Sequence, residues 1–552
     1  MSWGLTGPAE TAEIQIKDCS GALQSEACAI GPFISARWIP PSEYTNGSPV
    51  FLSHHKFNYG LVSGVLDKTV DLSTTSVKGA IRHTVGGLTE GLTYYYSITS
   101  VDAYGNETTS AESSAVARAE YQPDLGAATE INGPISINSA GVYKIGQSFT
   151  AAGTAIQVGA DNVEIYNPDG HIVTYADSVA GYGVEFTSSV SGHICSGLNL
   201  IQGSFIPSSG GDYTDAFRAS SKSISGRFDG NTMTLSKGGT SSNLHADGFG
   251  FRGLFSSSVL EITNNTIIIS GGSARYGIFL EGSPDAYIHG NNISISGTDA
   301  SVGTSRCLHL FGGRLDVSAN LVSFDPTVVV TGRCISVLGG QNAVIHDNTV
   351  NNQGFNTQAL LVEDNSQKTI VTHNSLTSND NSAYRERFEA SGSIVGFNVC
   401  YSDSASGINV GGVDALNPGP TTGGIYYMNN TSSNLGRGFR FFETTEDIVA
   451  IDNIISSTST QPVLVQGANE DGVLGHTNLA FVGNSISGVT SEDISLLALS
   501  ALDNSTTNAS FSESSGEILE GLGIHSYTSG VDAATYRPTG LSPKTATSIE
   551  SL

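Results

Sequence analysis

Two glutamates of this 552-residue chain end strand-like runs at equivalent places of a repeated pattern. When the runs are aligned on the small residue that opens each of them, Glu363 and Glu389 fall in one outward-facing column on adjacent repeats. Neighbouring strands are about 4.8 Å apart, and two carboxylates at that separation push each other's pKa apart. One could stay protonated as an acid while the other acts as nucleophile or stabiliser. Such a spacing is typical of a retaining glycosidase.

Basic and imidazole groups lie close to this pair in the sequence. Arg385 and Arg387 belong to the most charged run of the region. Arginine neutralises a sugar carboxylate, as β-elimination requires, and can bind it in bidentate fashion. His309 stands alone between two leucines and is a candidate general base. The residues predicted to be catalytic are Glu363, Glu389, Arg387 and His309.

Other side chains of the same outward set could contact a substrate. Exposed aromatic rings stack on sugar rings, and arginines bind acidic groups. The residues predicted to bind substrate are Arg252, Phe279, Glu281, Phe311, Arg385 and Arg440. Two alternatives stay open for all of these positions. They could bind glycan without cleaving it, or they could form ordinary cross-strand pairs on a solvated sheet face.

A repeat between about residues 125 and 490 positions these candidates. An apolar strand that opens with Gly, Cys or Ala is followed by a turn, a second strand ending in Asn, and a third short strand. The asparagines recur every 24 to 34 residues, at Asn231, Asn265, Asn291, Asn320, Asn348, Asn374, Asn398, Asn429, Asn453 and Asn484. One coil per repeat explains the pattern, because stacked coils pair their backbones and bury every second side chain. The Asn suits a turn that needs left-handed geometry, and stacked amides can bond along the axis.

This pattern resembles the right-handed parallel β-helix superfamily, which includes pectate and alginate lyases, polygalacturonases, mannuronan epimerases and phage tailspikes. The resemblance implies that substrate lies along the groove over the strand that precedes the turn before the Asn strand. The outward-facing candidates are on that strand. His245 and Asp247 resemble part of the Asn-Thr-Asp-Gly strand of polygalacturonases. The Asp-Asp, Gly-His-Gly and Arg-Ile-Lys motifs of that family are missing.

The residues before the repeat predict a two-sheet β-sandwich of short alternating strands. Trp38 followed by two prolines, and Leu88 followed six residues later by Tyr94, resemble the core strand and the corner of fibronectin type III domains. The resemblance implies a spacer or attachment module. The predicted organisation is an N-terminal segment 1–30, a sandwich 31–120, a β-helix 121–490 and a C-terminal cap or tail 491–552.

The chain is acidic, with 24 Lys and Arg against 51 Asp and Glu and a net charge of −27. Such a surface repels phosphate backbones, so we expect no nucleic-acid partner. No stretch approaches the roughly 18 apolar residues of a membrane span, and no secretory signal is visible. No cofactor or metal is predicted. Calcium binding through scattered turn carboxylates stays open, but no motif specifies a site.

The predicted fold class is all-β, a right-handed parallel β-helix preceded by a fibronectin type III-like β-sandwich. The predicted function is polysaccharide binding with cleavage, of phage tailspike or depolymerase type, outside the cell or on a virion surface. A homotrimer, or an assembly through the N-terminal domain, is the expected protein partner. A non-catalytic virion or cell-surface fibre stays an alternative, as does a secreted bacterial polysaccharide lyase.

Overall fold

The computed structural model describes most of the chain between residues 32 and 495 and one strand near its end. The described residues are 32–39, 41, 52–72, 82–102, 105–117, 123–205, 214–236, 246–271, 275–297, 305–327, 332–340, 343–354, 357–364, 366–367, 369–387, 390–403, 406–410, 422–428, 430–434, 437–442, 445–451, 453–457, 463–466, 476–482, 485–487, 494–495 and 547–551. These residues form no α-helix. They therefore include no helix long and apolar enough to cross a membrane.

Seven strands come before the repeat. They are β1 (Ile34–Ile39), β2 (Leu52–Gly60), β3 (Lys68–Asp71), β4 (Arg82–Val85), β5 (Thr93–Asp102), β6 (Glu107–Thr109) and β7 (Ser113–Val116). Strands β2, β3, β5, β6 and β7 form one antiparallel sheet. Strand β1 pairs with β4 on one side and, on the other, with the strand Thr547–Ser551 near the end of the chain.

The two sheets of this N-terminal region share one apolar core. Trp38 of β1 is buried together with Phe57 and Tyr96, whose rings stack on each other. The backbone N–H of Thr89 donates to the hydroxyl of Tyr94 at 3.1 Å. The region is therefore a two-sheet unit. Its resemblance to fibronectin type III domains, and the predicted domain boundaries, stay predictions.

The rest of the described chain is a right-handed parallel β-helix with three sheets. Sheet 1 contains β9 (Ile135–Ile137), β12 (Ile156–Val158), β15 (Val184–Phe186), β18 (Phe217–Ser220), β21 (Phe249–Leu254), β24 (Arg275–Gly282), β27 (Ser305–Phe311), β30 (Gly332–Leu338), β33 (Thr357–Glu363), β36 (Tyr384–Glu386), β39 (Ser406–Val410), β42 (Arg437–Phe442), β45 (Val463–Gln466) and β48 (Ile494–Ser495).

Sheet 2 holds the second strand of each coil. It contains β8 (Thr129–Ile131), β10 (Gly141–Ile145), β13 (Val163–Tyr166), β16 (Val190–Ser196), β19 (Ile224–Asp229), β22 (Val259–Thr263), β25 (Asp285–His289), β28 (Leu315–Ser318), β31 (Val344–His346), β34 (Ile370–Thr372), β37 (Ile394–Gly396), β40 (Thr422–Met428), β43 (Thr445–Ile451) and β46 (His476–Val482).

Sheet 3 holds the third strand of each coil. It contains β11 (Phe149–Thr150), β14 (Ile172–Tyr175), β17 (Asn199–Gln202), β20 (Thr232–Leu235), β23 (Thr266–Ser270), β26 (Asn292–Ser296), β29 (Leu321–Phe324), β32 (Thr349–Asn352), β35 (Ser375–Ser378), β38 (Val399–Ser402), β41 (Thr431–Asn434), β44 (Ile454–Ser457) and β47 (Ser485–Ser487).

The interior of the β-helix is one continuous apolar cluster that extends from Ile131 to Ile455. It forms because alternate side chains of each strand point inward and stack on the equivalent residues of the next coil. In sheet 1, Ile278 pairs with Leu308, and Leu280 with Leu310, and all four side chains are fully buried. The predicted fold of the repeat region and its inward-facing files are therefore confirmed.

An asparagine ladder runs along the corner between sheets 2 and 3. The Asn265 side-chain amide donates to Asn291 Oδ1 at 2.9 Å, and it also donates to the backbone carbonyl of Phe228. The same bonding links Asn231, Asn265, Asn291, Asn320, Asn348, Asn374, Asn398, Asn430 and Asn453. The predicted stack is thus confirmed. The ladder passes through Asn430, so the prediction for Asn429 was wrong by one residue, and Asn484 lies outside the described residues.

From Asn231 to Asn398, the left-handed turn position is the residue before each ladder asparagine. Asn264, Ala319 and Phe397 have φ angles of 54°, 52° and 58°. The prediction that the ladder asparagines themselves adopt this geometry was therefore wrong. Their side chains are occupied in coil-to-coil bonding, and the preceding residue makes the turn, at a cost that is high for alanine or phenylalanine.

Candidate functional site on the outer face of sheet 1

Arginine residues of the β-helix concentrate on sheet 1. Eight arginines lie within its strands, and Arg387 directly follows β36. The eight are Arg218, Arg252, Arg275, Arg306, Arg333, Arg385, Arg437 and Arg440. None of the strands of sheet 3 contains Asp, Glu, Lys or Arg. Because the chain as a whole has a charge of −27, this arginine-rich face is an exception to the composition of the protein.

Two columns of sheet 1 carry most of these groups. The central column faces outward and contains Arg218, Gly250, Phe279, His309, Ser336, Leu361 and Arg385. The entry column lies three residues earlier on each coil and contains Asp215, Asp247, Tyr276, Arg306, Arg333 and Gln358. Although these residues face away from the core, several are almost fully covered, including His309 and Leu361. The face is therefore less solvated than the sequence predicts.

An acid pair occupies the entry column on adjacent coils. Asp215 accepts a hydrogen bond from the backbone N–H of Asp247 at 3.1 Å and pairs with Arg218 at 2.9 Å. Asp247 accepts one from the backbone N–H of Tyr276 and pairs with Arg252. The two carboxylates have no exposed surface. A substrate can reach them only where an arginine side chain moves aside.

Gly250 makes room for this pair. A Cβ atom at that position would lie 2.2 Å from Asp215 Oδ2, so only glycine lets the Asp215 carboxylate lie over the central column. The Arg252 guanidinium lies over the Phe279 ring, 4.2 Å from its centroid. These contacts join the acid pair to the aromatic residues of the next coil.

Burial raises the pKa of Asp247 well above its ordinary value, and the neighbouring charge of Asp215 raises it further. Arg252 and Arg218 act in the opposite direction without cancelling these effects. A raised pKa favours the protonated form of Asp247 and suits this carboxyl group to donating a proton.

An aromatic cluster follows the acid pair along the axis. The His309 ring stacks on Tyr276 at 5.3 Å and meets Phe279 and Phe311 at 5.1 and 4.4 Å. Both ring nitrogens of His309 contact the Arg306 guanidinium. Phe311 is the partly exposed member of this cluster and Phe279 is buried. The structure thus brings the predicted residues His309, Phe279 and Phe311 together.

An arginine cluster lies beyond the aromatic residues; we use this name for Arg306, Arg333 and Arg387 with Glu363. Arg333 approaches Glu363 Oε1 at 3.6 Å and Arg387 donates to Glu363 Oε2 at 2.7 Å. Both carboxylate oxygens of Glu363 are therefore engaged by guanidinium groups. This arrangement suits Glu363 to orienting arginines better than to donating a proton.

The predicted pairing of Glu363 with Glu389 was wrong. Leu361 pairs with Arg385 and Val362 with Glu386, so Arg387 is the residue beside Glu363. The alignment behind the prediction was shifted by two residues. Glu389 itself lies outside the described residues, and the role predicted for it is not carried further.

The remaining predicted residues are spread along the same sheet. Glu281 is exposed at the end of β24, while Arg385 and Arg440 are partly buried in the central column of later coils. Asp247 belongs to the acid pair, and His245 lies outside the described residues. The roles predicted for all these residues stay predictions.

The sequence prediction missed four charged residues of this face, which are Asp215, Arg218, Arg306 and Arg333. A signal for them exists, because each entry-column residue directly precedes the small residue that opens a sheet 1 strand. Asp215-Ala, Asp247-Gly, Arg306-Cys and Arg333-Cys share this position. Reading the residue before the small one on every repeat would have shown acids on two coils and arginines on two later coils.

One acidic side chain of sheet 1 points into the core. Glu386 is fully buried and accepts hydrogen bonds from the hydroxyls of Tyr384 and Tyr427, at 2.8 and 3.2 Å. Burial raises the pKa of Glu386, and its bonds with Ser393, Tyr384 and Tyr427 only partly offset this. Glu386 is therefore an internal structural residue whose raised pKa favours its protonated form. Within the described part of the chain, no group of three or more His, Cys, Asp or Glu is arranged to hold a metal ion.

Comparisons with known proteins give a distant likeness. No family model matches the chain, and no curated protein matches it. Among solved structures, the catalytic unit of a thermostable GH87 alpha-1,3-glucanase from Streptomyces thermodiastaticus is 12% identical with a TM-score of 0.34, and the match covers 85% of this chain and 87% of that one.

Two further solved structures are similar at the same level. A family 28 exopolygalacturonase from Yersinia enterocolitica is 9% identical with a TM-score of 0.39, over 86% of this chain and 96% of that one. The A-module of the Azotobacter vinelandii mannuronan C-5 epimerase AlgE4 is 14% identical with a TM-score of 0.27, over 67% and 83%. These TM-scores are below 0.5. The fold assignment therefore rests on the strand pairing of this chain, and no residue role is transferred.

Proposed function

We propose that this protein binds a polysaccharide along the outer face of sheet 1. The observation that carries the proposal is the row of arginines on sheet 1, whose strands hold eight of them against one in the strands of sheet 2 and none in those of sheet 3, together with the aromatic residues beside them. Coils about 4.8 Å apart present a periodic row of groups, which suits a polymer that offers a hydroxyl, ring or charge at every unit. Aromatic and charged groups in one row are those that contact sugars.

Retention during native electrophoresis tests this proposal. Gels would contain alginate, pectin, ulvan or dextran, and wild-type protein should be retarded by at least one of them. Phe311→Ala should weaken retention about fivefold, because a ring contact contributes about 1 kcal/mol.

The matched control is Phe255→Ala, since Phe255 is an exposed aromatic residue that follows β21 and lies outside the two columns. It should be retained like wild type. Absence of retardation in every gel, or equal losses in the two variants, would remove the proposal.

Cleavage of the bound polysaccharide is a second candidate function, and the acid pair favours it. The pKa of Asp247 is raised, and Asp215 lies beside it on the preceding coil. In this role Asp247 donates a proton to the glycosidic oxygen and Asp215 stabilises the developing positive charge or activates the nucleophile. Movement of the Arg252 side chain would expose the pair to substrate.

Release of reducing ends, together with ultraviolet absorbance of unsaturated ends, tests for cleavage and separates hydrolysis from elimination. Asp247→Asn replaces a protonated acid with a neutral group of the same shape, so the fold should be kept and the rate should fall at least about a hundredfold. Asp169→Asn, at an exposed carboxylate remote from sheet 1, is the control. Equal rates in Asp247→Asn and wild type would exclude the acid role.

The location and the assembly complete the proposal. The protein acts outside the cell or on a virion, in the manner of a phage tailspike or depolymerase, as a homotrimer attached through a fibronectin type III-like N-terminal module. Binding without cleavage would favour the non-catalytic fibre, and unsaturated products would favour a secreted polysaccharide lyase.

A further inference from the structure

We infer that the arginine cluster is a subsite for an anionic group of the polysaccharide, a carboxylate or a sulfate ester, so that the substrate is an acidic glycan. This inference rests on the proposed polysaccharide binding and names the class of polymer. Its evidence is the register, the charge balance and the burial of the arginines.

The register places two arginines directly beside each other. Arg306 of β27 pairs with Arg333 of β30 in the entry column, on strands about 4.8 Å apart. Like charges that face each other on neighbouring strands destabilise a sheet. A third arginine, Arg387, reaches the same place from the end of β36 and bonds to Glu363.

The acids at this place do not neutralise the arginines. Among the described residues, the surroundings of Arg306, Arg333 and Arg387 contain two carboxyl groups, those of Glu363 and Asp364, so three positive charges face at most two negative ones. Arg306 contacts the His309 ring, and within the described part of the chain no carboxylate lies within 4.0 Å of its guanidinium. An excess of positive charge is thus held on one face of a strongly acidic protein.

Partial burial makes this excess costly in the absence of a ligand. Burial lowers the pKa of Arg333 to about 10, and the charges of Arg306 and Arg387 act in the same direction against the favourable effect of Glu363. Burial also lowers the pKa of Arg306, again with a contribution from Arg387. A bound anion would relieve both effects, because it neutralises the repulsion and accepts bidentate hydrogen bonds from guanidinium groups.

The distance between the arginine cluster and the acid pair corresponds to a few sugar units. Arg306 is two coils beyond Asp247 and Arg333 is three coils beyond it, which corresponds to roughly 10 to 14 Å along the axis. Aromatic side chains of Tyr276, Phe279 and Phe311 fill the interval. A chain of several sugar units is therefore long enough to extend from the arginine cluster to the part of sheet 1 that covers the acid pair.

Binding measurements with anionic and neutral polymers test the inference. Polygalacturonate offers carboxylates, dextran sulfate offers sulfate esters, and dextran offers neither. For Arg306→Gln and Arg333→Gln, the dissociation constant for the retained anionic polymer should rise at least about tenfold, while any affinity for dextran stays unchanged. Arg306→Lys keeps the charge but loses the planar fork, so it should lie between wild type and Arg306→Gln.

Arg314→Gln is the matched control, because Arg314 directly precedes β28 of sheet 2 on the neighbouring part of the same coils. It should bind like wild type. Wild-type affinity in both Arg306→Gln and Arg333→Gln would overturn the inference. Equal retention of dextran and the anionic polymers would overturn it as well.

A second measurement separates failure of the subsite from failure of polysaccharide binding. Sulfate stabilises folded proteins in general, so the extra increase in unfolding temperature that sodium sulfate gives over sodium chloride of the same ionic strength is compared between variants. It should be larger in wild type and in Arg314→Gln than in Arg306→Gln, and this difference is the sulfate effect of the site. In the absence of sulfate, Arg306→Gln should unfold at a higher temperature than wild type, since it removes a repelling charge. If no polymer binds but this sulfate effect is present, the proposed function fails and the anion site stands. If the sulfate effect is absent too, both fail.

Discussion

Sheets 1 and 3 are built on the same coils but carry different residues on their outer faces. The outward residues of sheet 3 are mainly Ser, Thr and Asn, as in β26, with a few exposed apolar side chains such as Ile268 and Leu321, and its strands have no charged residue. Sheet 1 carries eight arginines and the acid pair with similar backbone pairing. A parallel β-helix therefore folds without charges on a face. The charges of sheet 1 are an addition that the architecture does not require, and this supports assigning them to binding.

Breaking the asparagine ladder should give the largest loss of stability, because its buried hydrogen bonds link successive coils at the corner between sheets 2 and 3. Asn320→Ala removes the acceptor for the Asn291 backbone and side-chain amides and the donor to Asn348. Leaving these buried groups unpaired should cost about 3–4 kcal/mol of the free energy of unfolding. Urea denaturation measures this loss.

Thr349→Ala is the control for that experiment, since Thr349 is exposed on the outer face of sheet 3. It should change stability by less than about 0.5 kcal/mol. If Asn320→Ala lowered the free energy of unfolding only slightly, the ladder would contribute little to the stability of the β-helix.

Removal of the Glu363 carboxylate should give the second-largest loss of stability, in sheet 1. Glu363→Ala leaves Arg333 and Arg387 partly buried without their carboxylate, and breaking such a network should cost about 2–3 kcal/mol after allowance for the exposure of the arginines. Arg306→Gln in the same background should recover part of the loss, because it lowers the repulsion. Denaturation of the single and double variants measures the coupling, and simple additivity would speak against a shared cluster.

Gly250→Ala tests the space that the acid pair needs. The new methyl group would displace the Asp215 carboxylate from Arg218, at an expected cost of about 1–2 kcal/mol. Gly133→Ala is the control, because a Cβ there meets no atom within 4 Å. If the two variants had equal thermal stability, the packing of Asp215 over Gly250 would be contradicted.

Glu386 is an acidic residue on the inward face of sheet 1, so it tests the core and not the outer face. Its pKa is raised in the folded protein, so its contribution falls as the pH rises above the pKa of the unfolded chain and towards the folded value. The stability of wild type relative to Glu386→Gln should therefore decrease with pH, by at most about 1.4 kcal/mol per pH unit. Denaturation at several pH values above 4 measures the difference, and a difference that is flat with pH would show that Glu386 is ionised when folded.

The sequence predicted the coil well because the signal is repeated many times. Apolar side chains with a period of two and a recurring Asn specify inward files such as Ile278 and Leu308. The strand register of a single coil was harder to predict. Tyr384 to Glu389 alternates in a way that fits two registers two residues apart, and only pairing with β33 decides between them. The sequence also could not decide which of the adjacent residues Asn429 and Asn430 occupies the ladder position.

The contacts of the site were less predictable than its face. Alignment of repeats placed His309, Phe279 and Phe311 on one surface, but it could not show that Arg306 lies against His309 or that Asp215 leans over Gly250. These contacts depend on long side chains that cross from one coil to the next. The inward position of Glu386 follows from the register, but its pairing with two tyrosines on different coils depends on the core of the folded protein.

The antiparallel pairing of β1 with the strand Thr547–Ser551 has a consequence for biosynthesis. Strand β1 is synthesised before the β-helix, whereas its neighbour is synthesised after it. The N-terminal three-stranded sheet can therefore be completed only after translation of the whole β-helix, although domains generally fold in order from the N-terminus. A truncated translation product would carry an open β1 edge, which quality-control proteases and chaperones could distinguish from the finished chain.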